Sequence, residues 1–192
     1  MQFIEPRDVA VSVSEDSATI FVADAVNCRV QFFRMADATA DAQPLGVYTI
    51  PNMPLSLCVG NRDRVFVTEN LANQFKILSL KCQERQLEAS EPQPMQTPEL
   101  ALFNVCTNKE NAGVQLNRVR GLTYDPQTRY VLVTEEGNPK ICVFDRDGGY
   151  VGTVKLPGKK TMQLVDISAL DSRVVLVAYK GEKYAISVLN IM

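Results

Sequence analysis

The chain has 192 residues, enough for one domain with a real core and too few for two large ones. Hydrophobic residues make up 46% and charged residues 22%, an ordinary globular balance, and the net charge of −2 argues against a globally basic nucleic-acid binder. There is no histidine, which removes Ser-His-Asp and Cys-His nucleophile systems, histidine metal sites and histidine bases.

No apolar run approaches the roughly 18 residues of a membrane span. The N-terminus, MQFIEPRD, lacks a basic region followed by an apolar one, so no secretory signal is read. The expectation is a cytoplasmic protein without membrane contact. The cysteines are Cys28, Cys58, Cys82, Cys106 and Cys142, odd in number and without a CxxC pair, so neither a zinc nor a disulfide framework is indicated. Reduced thiols are the default, with a Cys82–Cys106 bridge as the alternative.

In chain order, residues 6–34 predict three short strands, Asp8–Val13, Thr19–Ala23 and Arg29–Phe33. Apolar residues alternate at Val9/Val11/Val13, Ile20/Val22 and Val30/Phe32, the period of half-buried antiparallel strands. A fourth strand follows at Leu45–Ile50. The pattern then returns. First strands carry Leu57/Val59, Leu122/Tyr124 and Val165/Ile167, and third strands carry Phe75/Ile77, Ile141/Val143 and Ile186/Val188. Polar hairpins (SEDSA, GNRDR, DPQTR, LDSR) separate first from second strands. Aligned on the second-strand valines Val22, Val67, Val133 and Val177, the units are spaced by 45, 66 and 44 residues. A period in the forties with about four strands per unit is the signature of propeller blades.

The long middle interval places an insertion at residues 81–116, rich in Gln, Glu, Pro and Asn, with a fourth strand near Leu100–Val105. The third unit has its fourth strand at Tyr150–Lys155 after the turn Asp147-Gly148-Gly149. The fold class is all-β, a β-propeller of about four blades in a single domain spanning 1–192. The blades lie near 5–50, 51–116, 117–157 and 158–192. Two closures stand. Residues 1–4 supply the missing strand of the fourth blade and close a small ring, or the four blades form an open arc whose exposed edges need a partner chain or a missing segment.

The wording of the first unit resembles the NHL-repeat β-propeller family: Pro6-x-x-Val9-Ala10-Val11, Ile20-Phe21-Val22-Ala23-Asp24 and Asn27-Cys28-Arg29-Val30-Gln31-Phe32-Phe33. The family usually has a histidine where this chain has Cys28. The third unit is similar through Asp145–Gly152, and the second and fourth are degenerate. The family usually closes with more than four blades. The resemblance implies a binding scaffold, and some members bind RNA on the loop face. Its enzymes hold a metal through channel histidines that this chain lacks.

An acid recurs at the end of strand two (Asp24, Glu69, Glu135), followed five residues later by Arg29, Gln74 and Lys140. These read as structural pairs across a turn, or as a carboxylate ring for a metal or substrate. Residues 1–96 carry a net charge of −4 and residues 97–192 of +2. The cations gather in loops of units three and four: Arg118, Arg120, Lys140, Lys159, Lys160, Lys180 and Lys183, with Tyr179 and Tyr184 beside the last two. Cations interleaved with aromatic faces suit single-stranded RNA. A solvated rim diluted by Glu135, Glu136 and Glu182 is the competing reading. No GxSxG, SxxK, P-loop or GxGxxG is present. The sequence therefore predicts a non-enzymatic binding module with no cofactor and no metal. Its expected role is protein interaction through the loop face or an open edge. RNA binding is the alternative, and a homodimer through the open edges is one form of the first.

Overall fold

A computed structural model describes residues 2–15, 17–37, 39–60, 64–70, 75–81, 99–106, 116–136, 138–156, 163–170, 174–180 and 184–190. The described residues form strands and connections with no helix. The first sheet holds β1 (Pro6–Val13), β2 (Ala18–Asp24), β3 (Arg29–Met35) and β4 (Gln43–Thr49). The second holds β5 (Pro54–Val59), β6 (Arg64–Glu69), β7 (Phe75–Lys81) and β8 (Glu99–Cys106). The third holds β9 (Val119–Asp125), β10 (Tyr130–Glu135), β11 (Asn138–Asp145) and β12 (Tyr150–Lys155). The fourth holds β13 (Gln163–Leu170), β14 (Val174–Lys180) and β15 (Tyr184–Asn190). All pairings are antiparallel meanders in sequence order.

The period of two produces these sheets because alternate side chains leave opposite faces. Phe21, Ala23, Val30 and Phe32 on one face of the first sheet pack with Leu57, Val65 and Val67 of the second. Phe66 of the second sheet packs with Leu122, Tyr124, Val131, Val133 and Phe144 of the third. Leu132, Ile141 and Val143 of the third pack with Leu164 and Ile167 of the fourth. The sheets therefore stack face to face in chain order, and their first strands lie side by side from β1 through β5 and β9 to β13. On the loop side of the β5–β6 and β11–β12 hairpins, Arg64 joins sheets two and three. It donates to the Arg146 carbonyl (2.7 Å) and to Asp147 (2.6 Å). That hydrogen bond outweighs partial desolvation and holds the Asp147 carboxyl below its usual range.

Three local expectations change. The alternation in β1 predicts half-burial of Val9, Val11 and Val13, but they are 57%, 49% and 79% exposed because no sheet precedes the first among the described residues. In β13 the register shifts between Leu164 and Asp166, so Ile167, paired with Val177, takes the place of Val9 paired with Val22. The inward alternation therefore runs through Ile167 and Ala169 rather than Val165/Ile167, and Val165 is 49% exposed. Residues 2–4 form no strand and do not add to the three-stranded fourth sheet. They lie on the first sheet instead, with Phe3 against Phe33 (ring centroids 5.8 Å) and the Ile4 carbonyl accepting from Val26 N (3.2 Å). Among the described residues β13 makes no substantial contact with β1, so the ring closed through residues 1–4 is not seen.

One glycine sets a sheet-to-sheet approach. A Cβ on Gly121 would sit 2.8 Å from Asp166 Cα and 2.9 Å from Ile167 N, both backbone atoms of the next sheet. Gly152, by contrast, faces open space. Gly121→Ala is expected to lower stability by about 1–3 kcal/mol, the overpacking scale, and Gly152→Ala by no more than about 0.5 kcal/mol. Urea unfolding of both variants checks the pair, and equal effects would contradict the packing described.

Candidate functional site

The recurring acids sit where β2, β6 and β10 end, and all three are buried. Asp24 is the most fully bonded. Its Oδ1 accepts from Ile4 N (2.8 Å) and Asn27 Nδ2 (3.0 Å). Its Oδ2 accepts from Asn27 Nδ2 (2.9 Å), Arg29 Nε (2.6 Å) and Gln31 Nε2 (2.7 Å). Arg29 also donates to the Gln2 carbonyl (2.9 Å). The carboxylate thus ties the lead-in of the first sheet to the β2–β3 turn. Cys28 takes the left-handed conformation in that turn, with φ 49°.

Glu135 repeats the arrangement. Its Oε1 accepts from Asn117 N (3.0 Å), and its Oε2 accepts from Asn138 Nδ2 (2.8 Å) and faces Lys140 Nζ at 3.3 Å. Ile4 and Asn117 each stand two residues before their first strand, and each following residue, Glu5 and Arg118, is left-handed (φ 51° and 46°). Glu69 accepts from Asn52 Nδ2 (2.9 Å), and Asn52 also stands two residues before its strand. Gln74 lies outside the described residues. The three acids occupy matching places in three separate sheets, each turned to its own lead-in. Among the described residues no group of three acids or thiols is placed to hold a metal ion.

Burial raises the Asp24 pKa, but the hydrogen bonds from Ile4, Asn27, Arg29 and Gln31 together outweigh it and leave the group below its usual value. Burial is also the main cause at the thiols. It pushes Cys58 well above the ordinary range, helped by Asp8, and raises Cys142, helped by Glu135. Both are therefore protonated and weakly nucleophilic at neutral pH. Cys28 is free as well, and a Cys82–Cys106 bridge falls outside what is described.

The proposed basic face divides. Arg118 and Arg120 both reach Glu136 (3.6 and 3.1 Å), and Lys140 is held by Glu135. Lys180 ends β14 directly opposite Tyr184 at the start of β15, and Tyr179 pairs with Ala185. Lys159, Lys160 and Lys183 lie outside the described residues.

A different set lines the first strands, and it is legible only once the register is known. Asp8, Ser56 and Asp166 follow the bulge in β1, β5 and β13, and Gly121 takes the matching place in β9. Asp8 Oδ1 accepts from Val9 N (2.8 Å), while its Oδ2 crosses to the second sheet and accepts from Ser56 Oγ (2.9 Å) and Leu57 N (2.7 Å). In sheets two and three a threonine takes over this work. Ser56 N donates to Thr68 Oγ1 (3.2 Å) and Gly121 N to Thr134 Oγ1 (3.0 Å). Thr68 Oγ1 donates onward to the Arg120 carbonyl (2.8 Å). Asp166 resembles Asp8, with Oδ1 accepting from Ile167 N (2.8 Å).

No family model matches the chain, and no curated protein does. Solved structures do. The β-propeller domain of Myceliophteria thermophila Cps50 (Swd1) superposes with a TM-score of 0.62 at 14% identity, covering 97% of this chain and 54% of its own. U3-55K gives 0.62 at 14%, covering 97% and 49%, and streptogramin B lyase gives 0.56 at 13%, covering 97% and 54%. At such identities the likeness concerns the fold alone. The chain spans about half the length of these structures. Its all-β array of antiparallel sheets has the fold of β-propeller proteins.

Asp24→Ala is expected to cost roughly 3 kcal/mol, the scale for removing one partner of a buried pair. A folded pKa below the unfolded one stabilises the fold above the unfolded value of about 3.9 and is lost as pH falls through the folded one. Wild-type stability should therefore fall on acidification below about pH 4. The Asp24→Ala variant should lose less over that range. Thermal melts from pH 7 to 2.5 check both, and parallel curves would contradict the account.

Proposed function

We propose that the chain is a non-enzymatic, cytoplasmic protein-interaction scaffold that binds through its open edge. One observation carries this reading. The first-strand position that is buried against the preceding sheet at Leu57 (5% exposed), Leu122 (2%) and Ile167 (4%) is Val9 in β1, which is 57% exposed. Val11 and Val13 extend the same face, and Val47 of β4 is also exposed on the first sheet. An apolar sheet face of this kind is a surface for another protein.

The finer kinship we infer is with NHL-type repeats, because the residues of that wording, Asp24, Asn27 and Arg29, are the ones bonded to one another. Streptogramin B lyase has a similar fold and an enzyme's name, so the fold does not separate enzyme from scaffold. Two features favour the scaffold: the chain has no histidine, and the thiols Cys58 and Cys142 are raised in pKa. Binding of single-stranded RNA by the loops of units three and four is the competing reading. The pairing of Arg118, Arg120 and Lys140 with Glu136 and Glu135 reduces the free charge available to it.

A photo-crosslinking residue in place of Val11, used in cells, is expected to give protein adducts that are absent when the same residue replaces the exposed Arg129 on a hairpin. In parallel, anisotropy with mixed single-stranded RNA at two salt concentrations is expected to show no binding below about 10 μM, near the non-specific range. Submicromolar RNA binding that weakens steeply with salt and is lost on Lys180→Glu/Lys183→Glu would overturn the reading.

A further inference from the structure

The sheet-to-sheet joints inside the chain specify the chemistry of what covers its open ends. At the first and third joints the residue after the first-strand bulge meets the same position of the next sheet, Asp8 with Ser56 and Gly121 with Asp166. Two kinds of unit occur, the aspartate kind at the ends and the small-residue kind between them. Sheets one and four carry an aspartate there, opposite or beside an alanine of the second strand (Asp8 with Ala23, Asp166 with Ala178). Sheets two and three carry a small residue served by a threonine (Ser56 with Thr68, Gly121 with Thr134). In the first joint the aspartate precedes the small unit, and Asp8 Oδ2 takes the hydroxyl of Ser56 and the N–H of Leu57. In the third joint the small unit precedes the aspartate, and the missing Cβ of Gly121 admits the backbone of Asp166.

Both ends of the array are aspartate units. Asp166 spends Oδ1 on Ile167 N, as Asp8 spends its own Oδ1 on Val9 N. Among the described residues its second oxygen has no partner, whereas the matching oxygen of Asp8 has two. A ring closed on itself, or a second copy docked head to tail, would bring Asp166 to Asp8, a carboxylate whose neighbouring Val9 N–H is already taken. Crowding by protein atoms raises the Asp166 pKa more than the hydrogen bond from Ile167 N lowers it, and the charge of Asp8 adds a smaller rise.

Resting on the scaffold reading above, we propose that the open ends are completed by propeller-like sheets other than those of a second copy of this chain. The first strand that meets Asp166 carries a serine or threonine hydroxyl at the Ser56 position, and the strand that covers Val9, Val11 and Val13 carries a glycine at the Gly121 position. The length relation agrees, since the propeller structures matched are about twice as long as this chain.

The probe is the full-length double variant Asp8→Ser/Ala23→Thr, whose β1 reproduces the Ser56/Thr68 half of the joint. One joint with small residues on both sides already stands between sheets two and three, so the fold tolerates the change. Circular dichroism checks it, with Asp8→Asn, which keeps one acceptor oxygen and adds a donor, as the alternative variant. Sedimentation velocity at pH 7.5 is expected to show the variant associating at least about tenfold more tightly with wild type than wild type does with itself. Asp166→Ala in the wild-type partner is expected to abolish the gain. An unchanged affinity, or a wild-type dimer already as tight and insensitive to Asp166→Ala, would overturn the proposal, the second result making a further copy of the chain the occupant. Val11→Arg separates the two readings. If it weakens self-association while the Asp8 variants have no effect, the edge scaffold stands and the joint chemistry falls. If it too has no effect, both fall.

Discussion

Every sheet after the first buries one face of its innermost strand against the sheet before it. Leu57, Leu122 and Ile167 occupy that place and are nearly inaccessible. Full burial of an aliphatic side chain contributes roughly 1.5–3 kcal/mol, so this repeated contact is the main force aligning the array. It is also directional. A meander has two faces, and a stack of meanders leaves one face uncovered at each end. The valines of β1 are the uncovered face at the start, and Asp166 marks the one at the finish.

Around this stack the polar residues set geometry rather than drive assembly. Asp24 and Glu135 each gather a lead-in amide, an asparagine and a cation of the β2–β3 or β10–β11 turn. The burial of these carboxylates is tolerable because donors surround them. Asp145 does similar work at the Asp147-Gly148-Gly149 turn. It accepts from Asp147 N (2.9 Å) and Gly149 N (2.8 Å), while Gly148 adopts φ 91°. Asp125 fixes the β9–β10 turn by accepting from Gln127 N and Thr128 Oγ1. Such groups explain why acids recur in the repeat without implying chemistry at any of them.

Much of the architecture was legible in the sequence. The alternation of Ile20/Val22 and Val30/Phe32, the spacing of the second-strand valines and the Gly-Gly turn each fall where a strand or hairpin stands. Periodicity reports which residues share a face, and it does not report whether a neighbour covers that face. Val9, Val11 and Val13 therefore looked like core residues. Bulges are also silent in sequence. The shift after Leu164 moves the buried position to Ile167 and puts Asp166 at the joint, a role no motif announces. The ion pairs of Arg118 and Arg120 with Glu136 were hidden for a related reason, since a loop's cations and acids can be counted but not paired without coordinates.

The uncovered β1 face is the claim on which the functional reading depends, and amide hydrogen exchange tests it most directly. β1 and β5 are both innermost strands, each paired to its own second strand, and they differ in whether a sheet covers Val9–Val13 or Leu57–Val59. The account predicts that the amides of β1 in the isolated chain exchange much faster than those of β5, by about a hundredfold if the missing burial is worth two or three kcal/mol of local stability. Equal protection of the two strands would mean that something in the isolated chain already covers the valines, and would contradict the open array.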